Sequence, residues 1–330
     1  MTAINKLTEM LRDEFISVNE VIMEQMQSDV QLIPDLAGYL IASGGKRIRP
    51  LLTLASARLC GFDAQGKDKL RPVNLAACVE FIHTATLLHD DVVDESELRR
   101  GKETANAVWS NQASVLVGDF LFSRAFQLMV ADGSLEVLKI LSDASAIIAE
   151  GEVHQLMTTN DLSTSLESYL EVIEAKTAVL FAAACEVGAV VSKAGTDKEK
   201  ALRDYGTYLG VAFQLVDDLL DYSADQIALG KTIGDDFREG KMTLPIITAI
   251  QSATPEEKEF WERTVGETQQ TDRDFDHALA LVNKYNGLET TRQAAVDYTK
   301  KAKECLKQFD DSDVKTCMVE LVEFVVERAY

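Results

Sequence analysis

Two short segments of the sequence carry the same spacing of aspartates at the end of an apolar stretch. They are LLHDDVVDE at 87–95 and QLVDDLLDY at 214–222, and each contains the pattern Asp-Asp-x-x-Asp. The first aspartate cluster is Asp90, Asp91 and Asp94, and the second aspartate cluster is Asp217, Asp218 and Asp221. On a helix, positions i and i+4 share one face with i+1 beside them, so each cluster gathers its carboxylates in one place.

Carboxylates grouped at the C-terminal end of a helix repel one another and oppose the helix dipole, so a positive group should compensate them. Mg²⁺ suits this arrangement because it takes one or two carboxylates and completes its shell with waters and phosphate oxygens. A single copy of the pattern would read as an acidic, solvated face. Two copies that each end an apolar helix instead predict two metal-binding arcs that face each other and clamp a diphosphate.

Basic residues lie near both clusters in the sequence. They are Lys46, Arg47 and Arg49 in GGKRIRP, Arg99 and Arg100 after the first cluster, and Lys231 and Lys241 in LGKTIGDDFREGK after the second. Arginine suits bidentate phosphate contacts and lysine supplies a mobile point charge. Each is more often a surface residue when taken alone, but their placement predicts a site for a phosphorylated ligand.

The overall composition excludes some classes of partner. Lys and Arg number 33 against 54 Asp and Glu, a formal charge of −21, which argues against binding nucleic acid. Five widely spaced cysteines, an odd number, are typical of reduced thiols in a cytoplasmic protein. No apolar block opens the chain and no apolar run approaches the length of about 18 residues, so we expect neither a signal peptide nor a transmembrane helix.

Helical periodicity predicts an all-α fold, whereas strand signals are nearly absent. The predicted helical segments are 6–32, 72–93, 112–131, 135–159, 166–192, 197–223 and 240–251, with two or three more after 255. Segments 73–93 and 205–220 are apolar on most faces and should be buried. No change of composition marks a linker, so we expect a single domain over 1–330.

At this point the sequence resembles a known family, the trans-isoprenyl diphosphate synthases. The resemblance covers about residues 20–250 and is carried by GGKRIRP, FIHTATLLHDDVVDESELRRG, EAKTAVLF, GVAFQLVDDLLDY and LGKTIGDDFREGKMTLP. It implies a single large helical bundle with a central cavity, dependence on Mg²⁺ and a cytoplasmic homodimer. It also implies sequential 1'-4 condensation of isopentenyl diphosphate onto an allylic prenyl diphosphate.

The resemblance also implies a role for each matching residue. Isopentenyl diphosphate would be held by Lys46, Arg49, His83 and Arg100. The allylic diphosphate or its developing cation would be held by Arg99, Lys176, Thr177, Gln214 and Lys231. Asp90, Asp94 and Asp217 would be the main metal ligands, with Asp91, Asp218 and Asp221 in support. From the residues alone, His83 reads as an ordinary helix histidine and Thr177 as a hydroxyl bonded to its own backbone.

The expected mechanism follows from these charges. Metal ions and cations neutralise the leaving diphosphate, so that the allylic carbon–oxygen bond ionises. The alkene of isopentenyl diphosphate then attacks the cation, and a proton is lost to the departing diphosphate. Asp90, Asp94, Asp217, Lys176 and Lys231 are the expected catalytic residues. No side chain needs to act as a nucleophile.

Product length should depend on residues below Asp90. Thr86 lies one turn before Asp90 with Ala85 beside it, and both are small where short-chain members of the family tend to carry aromatic residues. The tail should pass between helices 73–93 and 112–131 and end at Met129, with Phe126 as the next candidate. Phe122 reads as an ordinary core residue.

Within this family, the resemblance implies octaprenyl diphosphate as the product, made from farnesyl diphosphate for the side chain of ubiquinone. Hexaprenyl, heptaprenyl and nonaprenyl products remain open. A terpene cyclase shares an aspartate-rich motif but needs no second isopentenyl site, which GGKRIRP and the full second cluster disfavour. A non-catalytic partner subunit would be expected to have lost one of the two clusters.

Overall fold

The computed structural model of the 330-residue chain describes residues 2–42, 45–63, 66–99, 101–222 and 233–327, and these are almost entirely helical. The α-helices are α1 Ala3–Met10, α2 Arg12–Gln25, α3 Leu32–Ala42, α4 Ile48–Leu59, α5 Arg71–Val93, α6 Ala105–Val108, α7 Asn111–Asp132, α8 Leu135–Thr158, α9 Leu166–Ile173, α10 Val179–Val191, α11 Thr196–Leu220, α12 Asp235–Arg238, α13 Leu244–Ser252, α14 Pro255–Trp261, α15 Asp274–Lys284, α16 Gly287–Cys305 and α17 Asp313–Glu327. The predicted all-α fold is confirmed.

Shorter elements complete the secondary structure of the described ranges. Two 3₁₀ turns span Gly66–Leu70 and Leu306–Gln308, and two π-helical turns span Glu174–Ala178 and Glu262–Gly266. The strands β1 Leu98–Arg99 and β2 Lys102–Glu103 pair antiparallel, with Leu98 opposite Glu103.

The chain forms two compact units. Unit 1 comprises Met1–Ser145, Leu180–Gly206 and Cys305–Leu321, and unit 2 comprises Ala146–Val179, Thr207–Glu304 and Val322–Tyr330. The first aspartate cluster belongs to unit 1 and the second to unit 2. The expectation of a single domain over 1–330 stays a prediction.

Local sequence signals explain where several helices begin and end. Pro72 occupies the first turn of α5, where its missing N–H costs nothing. The Ser110 hydroxyl accepts a hydrogen bond from the Ala113 N–H at 3.1 Å and begins α7, which ends at Gly133 with φ of +78°. Thr254 and Glu257 form a reciprocal capping box at the start of α14.

The core of unit 1 is built around α5, which packs along α7, α4 and α2. The predicted burial of 205–220 is confirmed, since none of its residues is exposed, and that of 73–93 holds up to Val92, whereas Val93 is 56% exposed. Helix α10 is equally buried, although its sequence was not singled out as a core helix. The two helices that end in an aspartate cluster therefore lie in the interior.

Some predicted boundaries were wrong. The segment 6–32 is interrupted at Leu11, which caps α1, and helical structure pauses again between α2 and α3. The segment 240–251 becomes helical only at Leu244, because Gly240 adopts φ of +69° and Pro245 then takes the first turn of α13. Beyond residue 255 the described chain contains four α-helices instead of two or three.

Helix α7 alone, among the helices described, is long and apolar enough to cross a membrane. Its mean hydropathy is 1.4 over its most apolar 18 residues, and 44% of that window is buried. The helix carries Asp119 and Arg124 and packs along α5. A helix in the core of a folded protein can reach the same length and hydropathy, so these two properties do not establish a membrane span.

Candidate active site

The two aspartate clusters have the same local structure. Asp90 and Asp91 lie in the last turn of α5 and Asp94 follows its end, just as Asp217 and Asp218 end α11 and Asp221 follows. In each cluster the third aspartate donates its backbone N–H to the carbonyl of the first, at 2.8 Å in unit 1 and 3.1 Å in unit 2. Each cluster thus projects from the C-terminal end of a buried helix.

Within the first cluster, the three carboxylates differ in environment. Asp90 and Asp94 are half-buried, whereas Asp91 is 2% exposed. Arg99 Nε donates to Asp91 Oδ1 at 2.8 Å, and Arg99 Nη2 lies 2.7 Å from the same oxygen. The structure therefore places Arg99, expected on the allylic diphosphate, against an aspartate of the cluster. Arg100 lies outside the described residues.

The end of α5 is held in place by α7. Ser114, which is fully buried, donates to the Leu88 carbonyl at 3.0 Å, and His89 Nε2 lies 3.2 Å from the Val115 carbonyl. The His89 ring occupies the space where a side chain would begin on Gly118, since an added Cβ would lie 2.7 Å from His89 Cδ2. The sequence analysis missed these contacts, although His89 directly precedes the cluster.

Arg49 and His83, both expected to hold isopentenyl diphosphate, lie together in unit 1. Arg49 Nη1 is 3.1 Å from His83 Nε2, and the guanidinium carbon is 4.3 Å from the centre of the Phe181 ring. Lys46 is exposed. Arg47 instead turns toward Glu80, with Nε 4.0 Å from Oε1. Arg49 therefore contacts another predicted site residue, His83.

The residues expected to set product length lie where α5 packs against α7. Ala85 and Met129 are fully buried, and the Thr86 hydroxyl donates to the His83 carbonyl at 2.9 Å. Phe126 is 40% exposed, which makes it a poorer floor for a tunnel than Met129. The roles of Ala85, Thr86 and Met129 stay predictions.

The second cluster is held by donors from several parts of unit 2. Asp218 accepts from the Tyr169 hydroxyl at 2.5 Å and from Gln214 Nε2 at 2.8 Å. Asp221 accepts from the backbone N–H groups of Asp235 and Asp236 at 3.2 and 3.0 Å, at the start of α12. Asp217 is half-buried. The sequence analysis missed Tyr169, which lies seven residues before Lys176.

Burial dominates the electrostatics of this cluster. It raises the pKa of Asp218 to about 6, against the opposing effect of the hydrogen bonds from Tyr169 and Gln214. Burial likewise raises the pKa of Asp221 to about 6, and the N–H groups of Asp236 and Asp235 oppose it. The pKa of Asp236 is raised well above its usual value by burial and by the charges of Asp218 and Asp221. The cluster concentrates negative charge that a cation would neutralise.

Lys176 and Thr177 lie in the π-helical turn between α9 and α10, an irregularity common at functional sites. Lys176 Nζ donates to Glu152 at 2.7 Å, and the Thr177 hydroxyl donates to Gln214 Oε1 at 2.8 Å. Gly151 lets α8 approach this turn closely, since an added Cβ would lie 3.0 Å from the Lys176 backbone nitrogen. Glu152 had no signal in the sequence, and Lys231 lies outside the described residues.

The available donors fit Mg²⁺ better than a metal that needs a closed cage. Among the residues with described positions, no group of three or more His, Cys, Asp or Glu side chains is arranged around one point. Mg²⁺ needs only one or two carboxylates when substrate phosphate and water fill its other positions. Asp90, Asp94, Asp217 and Asp221 are half-buried, and Asp221 differs from the other three in accepting hydrogen bonds from the Asp235 and Asp236 backbone.

Comparisons with known proteins identify the family of the chain. The family model described as polyprenyl synthetase matches residues 30–282. The octaprenyl diphosphate synthase of Escherichia coli is 46% identical over 325 residues, which cover 98% of this chain and 99% of that protein.

Two solved structures resemble the fold closely. A polyprenyl synthase from Caulobacter crescentus, complexed with calcium and isoprenyl diphosphate, has a TM-score of 0.94 and 52% identity, covering 99% of this chain and 98% of that one. A decaprenyl diphosphate synthase from Rhodobacter capsulatus has a TM-score of 0.94 and 48% identity, covering 99% of both chains. The chain belongs to the polyprenyl synthetase family, and its identification from sequence as a chain-lengthening prenyltransferase is confirmed.

Proposed function

We propose that this enzyme adds isopentenyl diphosphate units to farnesyl diphosphate and releases all-trans octaprenyl diphosphate for the side chain of ubiquinone. The observation that carries the proposal is the repeated Asp-Asp-x-x-Asp at the ends of two buried helices, α5 and α11. The family match from 30 to 282 includes parts of both units, so we propose that the whole chain acts as one catalytic domain.

Mg²⁺ is the proposed cofactor, with Asp90, Asp94 and Asp217 as its main ligands. When bound, it would supply positive charge that stabilises the leaving diphosphate. Asp91, Asp218 and Asp221, whose carboxylates accept hydrogen bonds from protein groups, are proposed to support these ligands. The calcium complex of the Caulobacter crescentus enzyme supports a divalent cation in this role.

The remaining site residues divide between the two substrates. Lys46, Arg49, His83 and Arg100 bind isopentenyl diphosphate, and Arg99, Lys176 and Lys231 bind the allylic diphosphate. Thr177 and Gln214 place oxygen atoms beside the developing allylic cation, which favours ionisation. The proton released after condensation leaves with the diphosphate, so no protein base is required.

An octaprenyl product is favoured by the match to the Escherichia coli enzyme over almost the full length of both proteins. The Rhodobacter capsulatus enzyme carries a different product name, decaprenyl diphosphate synthase, at similar identity. The small side chains of Ala85 and Thr86 favour a long product, whether octaprenyl or decaprenyl. Met129, buried in α7, is the proposed end of the tunnel.

A cytoplasmic homodimer is the proposed assembly. One face of α7 presents four exposed apolar side chains, Val115, Leu116, Phe126 and Val130. Apolar faces of this kind commonly form interfaces, and a second copy of the chain would cover this one. Sedimentation analysis of the wild type and of Leu116→Glu tests this assembly, because the charge should favour the monomer.

Diphosphate release distinguishes the synthase from its rivals. The chain is incubated with Mg²⁺ and farnesyl diphosphate, with or without isopentenyl diphosphate. We expect rapid release only when both substrates are present. Equal release from farnesyl diphosphate alone would indicate a cyclase, and no release under either condition would indicate a non-catalytic subunit.

A further inference from the structure

A chain of side-chain hydrogen bonds in unit 2 ends at a tyrosine that the proposed mechanism does not use. Thr177 Oγ1 donates to Gln214 Oε1 at 2.8 Å, and Gln214 Nε2 donates to Asp218 Oδ1 at 2.8 Å. Tyr169 Oη donates to Asp218 Oδ2 at 2.5 Å. Tyr169, Thr177 and Asp218 are 3%, 7% and 4% exposed, so water has little access to these bonds.

The Asp218 carboxylate determines which groups donate and which accept along this series of hydrogen bonds. An ionised carboxylate can only accept, so the NH₂ of Gln214 must face Asp218 and its carbonyl oxygen must face Thr177. The reverse orientation would set a carbonyl oxygen against a carboxylate oxygen and leave Asp218 Oδ1 without the donor that Gln214 supplies. The hydrogen-bonding capacity of the carboxylate alone thus fixes which amide atom of Gln214 faces Asp218.

The orientation of the Gln214 amide determines what Thr177, at the other end of this series of hydrogen bonds, can offer a ligand. The Thr177 hydroxyl uses its proton on Gln214, so only its lone pairs are left for any further neighbour. The Gln214 carbonyl also has a second lone pair. Both groups can then present negative ends to a neighbouring ligand, which stabilises a cation and disfavours an anion.

Tyr169 anchors the carboxylate that imposes this orientation. It lies in α9, and its hydroxyl satisfies the Asp218 oxygen that Gln214 does not contact. Without this donor, that oxygen would be buried and unmatched, and the carboxylate would be free to rotate away from Gln214.

We infer that Tyr169 is a positioning residue for the reaction, acting through Asp218 to keep the oxygen atoms of Gln214 and Thr177 turned toward the allylic cation. The inference rests on the proposed function, in which Thr177 and Gln214 lie beside that cation. In this inference, Asp218 orients Gln214 and does not bind the metal.

The test compares Tyr169→Phe with the control Tyr205→Phe. Tyr205 is also a fully buried tyrosine, and its hydroxyl donates to the Met318 carbonyl at 2.8 Å within unit 1. Calorimetry measures binding of a prenyl ammonium analogue of the cation and of its uncharged carbon isostere, each with inorganic diphosphate and Mg²⁺. Electron paramagnetic resonance measures Mn²⁺ binding to the same proteins.

We expect Tyr169→Phe to weaken binding of the ammonium analogue roughly tenfold and that of the isostere less than about twofold, since only the cation senses the oriented oxygens. Mn²⁺ binding should be unchanged, and Tyr205→Phe should alter neither ligand's affinity. Asp218→Asn should likewise weaken binding of the ammonium analogue more than that of the isostere. If Tyr169→Phe does not fold, Asp218→Asn tests the inference in its place.

Other outcomes would overturn the inference. Equal weakening of both analogues would indicate a general loss of structure, and loss of Mn²⁺ binding would place Asp218 at the metal. If the wild type prefers the ammonium analogue and Tyr169→Phe keeps that preference, the positioning role of Tyr169 is wrong but the proposed cation site stands. If the wild type shows no preference, both the role of Tyr169 and the proposed cation site are wrong.

Discussion

The Arg49 guanidinium lies against the His83 imidazole, with Nη1 3.1 Å from Nε2. Arginine only donates, so Nε2 must accept, which assigns to His83 the tautomer with its proton on Nδ1. The Phe181 ring covers the guanidinium on one face at 4.3 Å. Together these contacts hold Arg49 in one orientation, which suits its proposed role in binding a diphosphate.

Arg49→Lys should raise the KM for isopentenyl diphosphate by roughly tenfold or more, because a lysine provides neither the bidentate phosphate contact nor the contact with His83. The KM for the allylic primer should change much less, and Lys46→Ala should show the same bias. Initial rates with each substrate varied in turn measure both constants. Arg47→Lys, which alters a side chain directed at Glu80, is the matched control. Equal effects on the two constants would contradict the assignment.

Replacing any main metal ligand, by Asp90→Ala, Asp94→Ala or Asp217→Ala, should lower kcat by at least about a hundredfold, since metal stabilisation of the leaving group is worth several kcal/mol. Circular dichroism should show an unchanged helical content. Asp143→Ala, at a 55% exposed carboxylate on α8, should retain full activity. Near-normal turnover of any of the three ligand variants at saturating Mg²⁺ would remove that residue from the ligand set.

Product length should respond in opposite directions at the two ends of the proposed tunnel. Thr86→Phe or Ala85→Phe places a ring about one helical turn below Asp90, so elongation should stop after one or a few additions. Met129→Ala should give longer products at a similar initial rate, because ionisation occurs far from that residue. Chromatography of the dephosphorylated products measures the length. Full-length product from Thr86→Phe would show that the tail follows another path.

Much of the fold was predictable because local signals coincided. The apolar stretch of α5 follows Pro72, and the Asp-Gly at 132–133 ends α7. The π-helical turn at Glu174–Ala178 was not predictable, since its apolar periodicity continues into α10 without a proline or glycine. The break at Leu11 likewise falls among residues that all favour a helix.

The site was predictable only in part, for a physical reason. Spacing places the three aspartates of a cluster together, but it cannot tell which one is buried. That depends on distant partners: Asp218 is satisfied by Tyr169, which lies 49 positions away in the sequence. Glu152 and Lys176 are 24 positions apart and meet because α8 packs against the π-helical turn. Contacts of this kind follow from tertiary packing.

Acid should weaken the fold partly through Glu257, which caps α14. Hydrogen bonds from Lys284 at 2.6 Å, Tyr285 at 2.6 Å and the Thr254 N–H at 2.8 Å lower its pKa from 4.5 to about 2. Because the unfolded chain takes up this proton first, the stabilisation is present above pH 4.5 and is lost as the pH falls toward 2.

Glu257→Gln should therefore lose less stability than the wild type between about pH 5 and 3, as measured by urea unfolding at each pH. Glu256→Gln, at an exposed position on the same turn, should follow the wild type. Parallel stability curves for the wild type and Glu257→Gln would show that this carboxylate does not contribute to the acid sensitivity.

The length of the product tests the proposed octaprenyl diphosphate synthase activity most directly. Purified chain is incubated with Mg²⁺, farnesyl diphosphate and radiolabelled isopentenyl diphosphate, and the dephosphorylated product is compared with prenol standards. We expect a main product of eight isoprene units, formed by adding five units to the three of the primer. Recovery of the primer unchanged, or its conversion to a cyclic hydrocarbon, would contradict it.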